Sequence, residues 1–230
     1  MSRQPSIYFF HIRKAGGTSL NHIFLSMGSA PSRENYRQIV RAPNNQIIQD
    51  GKKFVGWNVD EINKGGFFYA FSHAPAHVLQ LPSEVFTFTC FRDPVQRIIS
   101  HYKMLKHLKM TNHNHPCMKE EGPWLGGCLD DFIENIPRNH LYNQIYMFSP
   151  KLDIDQAVEN ISKLDYYLFL ERFSEGLAGL SEKLGFNLDP VHLRKAKYQE
   201  VFAPSSLEKL RHKLELEYIL LDKIRLQPEY

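Results

Sequence analysis

Along the chain, short apolar runs alternate with stretches in which apolar residues recur every three or four positions, and this rhythm predicts the elements. Ser6-Ile7-Tyr8-Phe9-Phe10 is an apolar and aromatic run of buried-strand type. Gly16-Gly17 ends it, and Leu20, Ile23, Phe24 and Met27 then fall at helical spacing. Residues 67–71 and 85–91 predict two more strands, the first ending at Ser72-His73 and the second at Arg92-Asp93-Pro94. From Pro94 onward, Val95, Ile98, Ile99, Tyr102 and Leu105 predict a helix with Asp93 as N-cap and proline at its first position. Residues 109–127, rich in His, Asn, Gly and Pro, read as a loop excursion, with short helices over 130–136 and 140–148 after it. A helix over 156–164, a fourth strand over 166–170 and an amphipathic helix over 173–184 closed by Gly185 follow. Leu207, Leu210, Leu214, Tyr218, Leu221 and Ile224 predict one long terminal helix over 205–226.

Strands alternating with helices imply an α/β fold, in which a central, mostly parallel β-sheet is flanked by helices and ligands sit beyond the carboxyl ends of the strands. The 230 residues fit one domain spanning 1–230, with 109–127 as a candidate cover for a substrate. The hydrophobic share of 43% and aromatic share of 13% exclude a disordered chain. A net charge of +3, from 28 basic and 25 acidic residues, is too small to demand a nucleic-acid partner, so any bound anion is held locally. No stretch approaches the roughly 20 apolar residues of a membrane span. Residues 1–7 lack the apolar core of a signal peptide, and the expected location is cytoplasmic, with no membrane partner. Cys90, Cys117 and Cys128 are odd in number and form no CxxC pair, which argues against a disulfide framework. Oligomeric state leaves no mark on the sequence.

Chemistry concentrates in two turns. His11-Ile12-Arg13-Lys14-Ala15-Gly16-Gly17-Thr18-Ser19 joins a strand to a helix. Glycine admits close approach of an anion, the helix start offers unpaired N–H groups, Thr18 and Ser19 add hydroxyls, and Lys14 adds a full charge. The lysine precedes the glycines and none stands directly before Thr18, so this is not the triphosphate loop GxxxxGK[ST]. The second turn is Thr89 to Tyr102, reading TCFRDPVQRIISHY. Arg92 at a strand end offers a two-pronged fork for a phosphate, and Ser100 lies eight residues along, about two helical turns away.

The first turn, FHIRKAGGTS, resembles the 5'-phosphosulfate loop of sulfotransferases that use 3'-phosphoadenosine 5'-phosphosulfate (PAPS), particularly the heparan sulfate 2-O-sulfotransferase-like branch, where it reads close to FHIPKTGGTS. Arg13 and Ala15 depart from that pattern. FRDPVQRIISHY is similar to the family's 3'-phosphate loop, and FLERFSEGLAGLSEKLGF to a later family helix. The resemblance implies a P-loop-like sulfotransferase fold with PAPS as co-substrate, PAP (adenosine 3',5'-bisphosphate) as product, and no required metal. It implies that Arg13, Lys14, Ala15, Gly16, Gly17, Thr18 and Ser19 hold the phosphosulfate and that Arg92 and Ser100 hold the 3'-phosphate. Lys195 and Lys197, in the basic patch before the terminal helix, fall where the family places a loop over the nucleotide.

The implied reaction is in-line transfer of a sulfonate to an acceptor hydroxyl, on a carbohydrate or a small molecule, with Lys14 at the leaving phosphate and a histidine base. His73, after the second strand, is the candidate base, because an imidazole with an ordinary pKa near 6.5 suits proton removal at neutral pH. His77, four residues on, is the alternative. His11 is read as ordering the first loop, and His101 as pointing away. His107, His113, His115 and Cys117 are zinc-ligand types, but their spacing matches no standard zinc pattern, so no metal is assigned. Two other functions compete: a nucleotide kinase of the same broad fold, and a PAP- or carbohydrate-binding protein without turnover.

Overall fold

The computed structural model describes residues 5–189 and 200–226. In chain order the elements are β1 (Ser6–Phe10), α1 (Gly17–Leu25), α2 (Ser32–Arg41), β2 (Gln46–Gln49), β3 (Lys52–Gly56), α3 (Val59–Asn63), β4 (Tyr69–Ser72) and β5 (Val85–Phe91). They continue as α4 (Pro94–Thr111), α5 (Pro116–Glu120), α6 (Leu129–Asn135), α7 (Arg138–Leu141), α8 (Asn143–Tyr146) and α9 (Ile154–Ile161). The last are β6 (Tyr166–Phe169), α10 (Phe173–Leu184), α11 (Pro204–Lys213) and α12 (Glu215–Arg225).

The six strands form one sheet in the order β2-β3-β4-β1-β5-β6, parallel throughout except for the antiparallel β2–β3 edge. β1 lies between β4 and β5, and its register sets Phe10 opposite both Ser72 and Thr89. The turns that follow β1, β4 and β5 therefore leave the sheet on one edge, which carries Lys14, His73 and Arg92.

Both faces of the sheet are covered, which is why β1 reads as an unbroken apolar run. Tyr8 and Phe10 point into one core, with Val55, Ala70, Ala157 and Leu221, while Ile7 and Phe9 point into the other, with Leu20, Phe24, Phe54 and Leu180. A third cluster joins α4, α6 and α11 through Ile98, Tyr102, Phe132 and Leu210.

Four expectations need correction. The sheet has six strands, because residues 46–56 form a hairpin whose two turn residues, Asp50 and Gly51, both take positive φ (49° and 73°). Residues 109–127 are not a loop: α4 runs on to Thr111, α5 follows, and a 3-10 turn spans Gly122–Trp124. Residues 140–148 are two short helices that break at Tyr142. The terminal helix breaks at Leu214 (φ −96°, ψ 11°), although Leu210, Leu214, Leu221 and Ile224 are all buried as the apolar stripe requires. Among the described residues no helix is long and apolar enough to cross a membrane.

Candidate active site

The loop after β1 is pinned from below. Ile12 and Ala15 are fully buried, and the Ala15 N–H donates to Ile12 O at 3.3 Å. Ala15 thus faces the core and offers only its backbone to a ligand. Between them Lys14 takes φ 65°, a conformation uncommon outside glycine and concentrated at functional sites. Helix α1 starts at Gly17 without a side-chain cap, and the N–H groups of Ser19 and Leu20 both return to Gly16 O. Among the described residues the N–H groups of Gly17 and Thr18 have no backbone partners, as the first turn of a helix dictates. Gly17 is required by packing: a Cβ there would lie 1.8 Å from Nε2 of His11.

Arg92 brings the second turn onto the first, since its Nη1 donates to the Lys14 carbonyl at 3.0 Å. A buried frame holds Arg92 in place. Its own N–H donates to Gln144 Oε1 (2.9 Å). The Gln144 N–H and Nε2 donate in turn to the two carboxylate oxygens of Glu217 (2.8 and 2.9 Å). Glu217 is ion-paired at 3.2 Å with Arg97, both side chains being fully buried. Arg97 also donates to the carbonyls of His140 and Leu141, so the buried charges are paired and hydrogen-bonded. Asp93 caps α4 by accepting from the Gln96 N–H (2.8 Å) and takes the Tyr218 hydroxyl at 3.0 Å. Its own N–H donates to Glu171 (2.7 Å).

The cations at this mouth are unequal. Arg13 is already committed: its N–H donates to Asn143 Oδ1 (3.1 Å), and its guanidinium lies 2.5 Å from Oε1 of Glu121. The Lys14 ammonium has no hydrogen bond or ion pair among the described residues. Burial first, and then the neighbouring Arg13 and Arg92, push its pKa down to about 8. Ser100 is half-buried on α4, and its hydroxyl makes no hydrogen bond among the described residues. Thr18 is exposed and Ser19 half-buried on the first turn of α1. Lys195 and Lys197 lie outside the described residues.

Nδ1 of His73 meets the His11 carbonyl at 2.6 Å. A carbonyl only accepts, so the proton sits on Nδ1 and Nε2 keeps a lone pair. Burial, with Arg13 adding to it and the His11 hydrogen bond opposing, lowers the His73 pKa to about 4, so the ring is neutral at pH 7. The His11 ring stands 4.2 Å from it, and burial, together with His73, holds His11 neutral as well. His77 is exposed on the 3-10 turn Ala76–Val78, with its ring edge-on to Tyr146 at 5.7 Å. Ser72 hydrogen-bonds Tyr8 (2.7 Å) and accepts from the Ala74 N–H (3.0 Å), which sets the turn that presents His73.

His101 is fully buried and donates from Nε2 to Glu121 Oε2 at 2.6 Å. His115 caps α5 by accepting from the Cys117 N–H at 3.2 Å. The described residues hold no group of three or more metal-ligand side chains.

Four residues that build the site went unassigned in the sequence: Gln144, Glu217, Arg97 and Glu121. Two had a signal. Arg97 and Glu217 fall on the apolar stripes of their helices, where a charged residue implies a buried partner. Glu121 had none.

Two turns joined at the carboxyl edge of a mostly parallel sheet, with Lys14 and Arg92 side by side between them, make this an α/β protein with a candidate anion site. The family model described as the sulfotransferase family matches residues 1–151, and the chain belongs to that family. No curated protein matches the chain. Among solved structures, mouse sulfotransferase SULT7A1 complexed with PAP is 13% identical, with 92% of this chain and 65% of that chain covered and a TM-score of 0.44. A sulfotransferase from Alicyclobacillus acidocaldarius is also 13% identical, with 99% and 98% covered and a TM-score of 0.47. The chain spans about 65% of the mouse protein's length.

Proposed function

We propose that the protein transfers a sulfonate from PAPS to the hydroxyl of an acceptor, with Lys14 assisting the leaving phosphate and His73 as base. The observation that carries this reading is the 3.0 Å bond from Arg92 to the Lys14 carbonyl, which joins the two phosphate turns into one mouth. The residues fit an anionic nucleotide. The N–H groups of Gly17 and Thr18 and the Lys14 ammonium, all without partners among the described residues, and the adjacent Arg92 suit a negative charge. When bound, PAPS supplies the sulfonate, whose bond to the 5'-phosphate breaks as the acceptor oxygen bonds to sulfur.

Each side chain then has a defined task. Lys14 offsets charge growing on the departing phosphate, and the start of α1 holds that phosphate. Arg92, with Ser100 on α4, suits the 3'-phosphate. His73 takes the acceptor's proton at Nε2, the nitrogen left free by the bond to His11 O. Negative charge brought in by the donor raises the His73 pKa from its low value and makes it a better base.

The FHIRKAGGTS loop supports placement beside the heparan sulfate 2-O-sulfotransferase-like branch, with a carbohydrate or small-molecule hydroxyl as acceptor. The pairing of Arg13 with Glu121 removes one cation from the mouth and favours an acceptor of low negative charge. The test is transfer of labelled sulfonate from PAPS to a panel of sugars, phenols and alcohols. Transfer to at least one acceptor that is lost in Lys14→Ala supports the reading. Tight binding of magnesium-ATP without binding of PAP overturns it.

A further inference from the structure

Glu121 is almost wholly buried and belongs to none of the motifs, yet both of its carboxylate oxygens reach the donor site. Oε1 pairs with Arg13 at 2.5 Å and Oε2 accepts from His101 at 2.6 Å. Arg13 immediately precedes Lys14, and His101 immediately follows Ser100. The carboxylate therefore ties the segment between α5 and α6 to the residues beside both phosphate turns.

We propose that Glu121 is a positioning residue for the transfer: by pairing with Arg13 it cancels that cation beside Lys14, fixes the turn that presents the lysine, and so preserves the ammonium charge. This rests on the reading of Lys14 as the cation at the leaving phosphate. Lys14 faces Arg13 from its own loop, Arg92 from the end of β5, Cys117 from α5, and Glu121. The two arginines oppose its charge, and Cys117 and Glu121 support it.

Around Glu121 stand His101 from α4, Arg13, and His140 from α7. Burial lowers the pKa of His101 to about 4 and lowers that of His140 too, so neither adds a charge at neutral pH. Arg13 is left as the charged partner of Glu121. Burial alone would favour protonated Glu121, but the His101 bond and Arg13 outweigh it and keep the carboxyl ionised.

The test uses the full chain and PAP, with the affinity followed by calorimetry from about pH 6 to about pH 10. Wild-type affinity falls as pH rises through about 8, where Lys14 loses its proton. Glu121→Gln preserves shape, because His101, whose Nδ1 has no partner among the described residues, can move its proton there and accept from the new amide. In this variant the fall comes at lower pH, because Arg13 is left without its counter-charge beside Lys14. The double variant Arg13→Met/Glu121→Gln removes both charges and returns the fall to the wild-type position or above it, which a merely structural role would not do. If Glu121→Gln does not fold, Arg13→Met alone carries the test and moves the fall to higher pH. PAP binding with an unmoved fall in the folded variants overturns this inference alone. Wild-type protein that binds no PAP at any pH overturns the donor reading as well.

Discussion

His73 Nδ1 donates to the carbonyl of His11 at 2.6 Å, across the junction of β1 and β4. One hydrogen bond thereby fixes the tautomer of the candidate base and aligns it with the loop that carries Lys14. His73→Ala is expected to reduce sulfonate transfer about 100-fold to 10,000-fold, the usual contribution of a general base, with PAP affinity unchanged. His77→Ala, at an exposed ring on a separate turn, should retain activity. Steady-state rates and PAP titrations on both variants check this.

Packing at the first turn gives a second prediction. In Gly17→Ala the new methyl group would occupy the place of the His11 ring, at 1.8 Å from Nε2. His11 must move, and its carbonyl and His73 move with it. Loss of both PAP binding and transfer is expected while far-ultraviolet circular dichroism stays native, and retained wild-type turnover would refute it.

The frame beneath Arg92 gives a third. Glu217→Ala leaves Arg97 buried without its counter-charge and Gln144 without its acceptor. Removing one partner of a buried pair typically costs about 3–5 kcal/mol. Chemical denaturation should show a loss of this size, and Gln144→Ala should weaken PAP binding with a smaller loss of stability.

Acid should destabilise the fold in a defined window. His73 and His101 have pKa values lowered to about 4 in the native state, against about 6.5 in the unfolded chain. Between these values the unfolded state binds protons that the native state does not, so stability is full above about pH 6.5 and falls as pH drops toward about 4. Denaturant midpoints across this range check it, and a flat profile would contradict it.

Much of this fold is legible in the sequence, because β1, β5 and α4 bury both faces or a broad stripe and so leave unbroken apolar signatures. The parts that are not legible have physical reasons. α2 carries only a short stripe of Tyr36, Ile39 and Val40 in an otherwise polar segment, and of these only Ile39 is buried, so it stands out little beside the long apolar runs. The break at Leu214 leaves the apolar stripe in step, so the sequence shows one helix where there are two. At the site, Lys14, Arg92 and His73 stand in recognisable turns. Glu121 and Gln144 act through contacts across 108 and 52 residues, which no local pattern encodes. The first of these contacts ties up Arg13 and leaves Lys14 as the cation without a partner among the described residues.

The central claim is that the two joined turns hold a nucleotide carrying both a 5'- and a 3'-phosphate. Calorimetric titration of PAP against AMP on wild type and Arg92→Ala tests it most directly. PAP should bind wild type at least about tenfold more tightly than AMP, as one charge-assisted contact provides, and Arg92→Ala should abolish the difference. Equal affinity of wild type for PAP and AMP would contradict it.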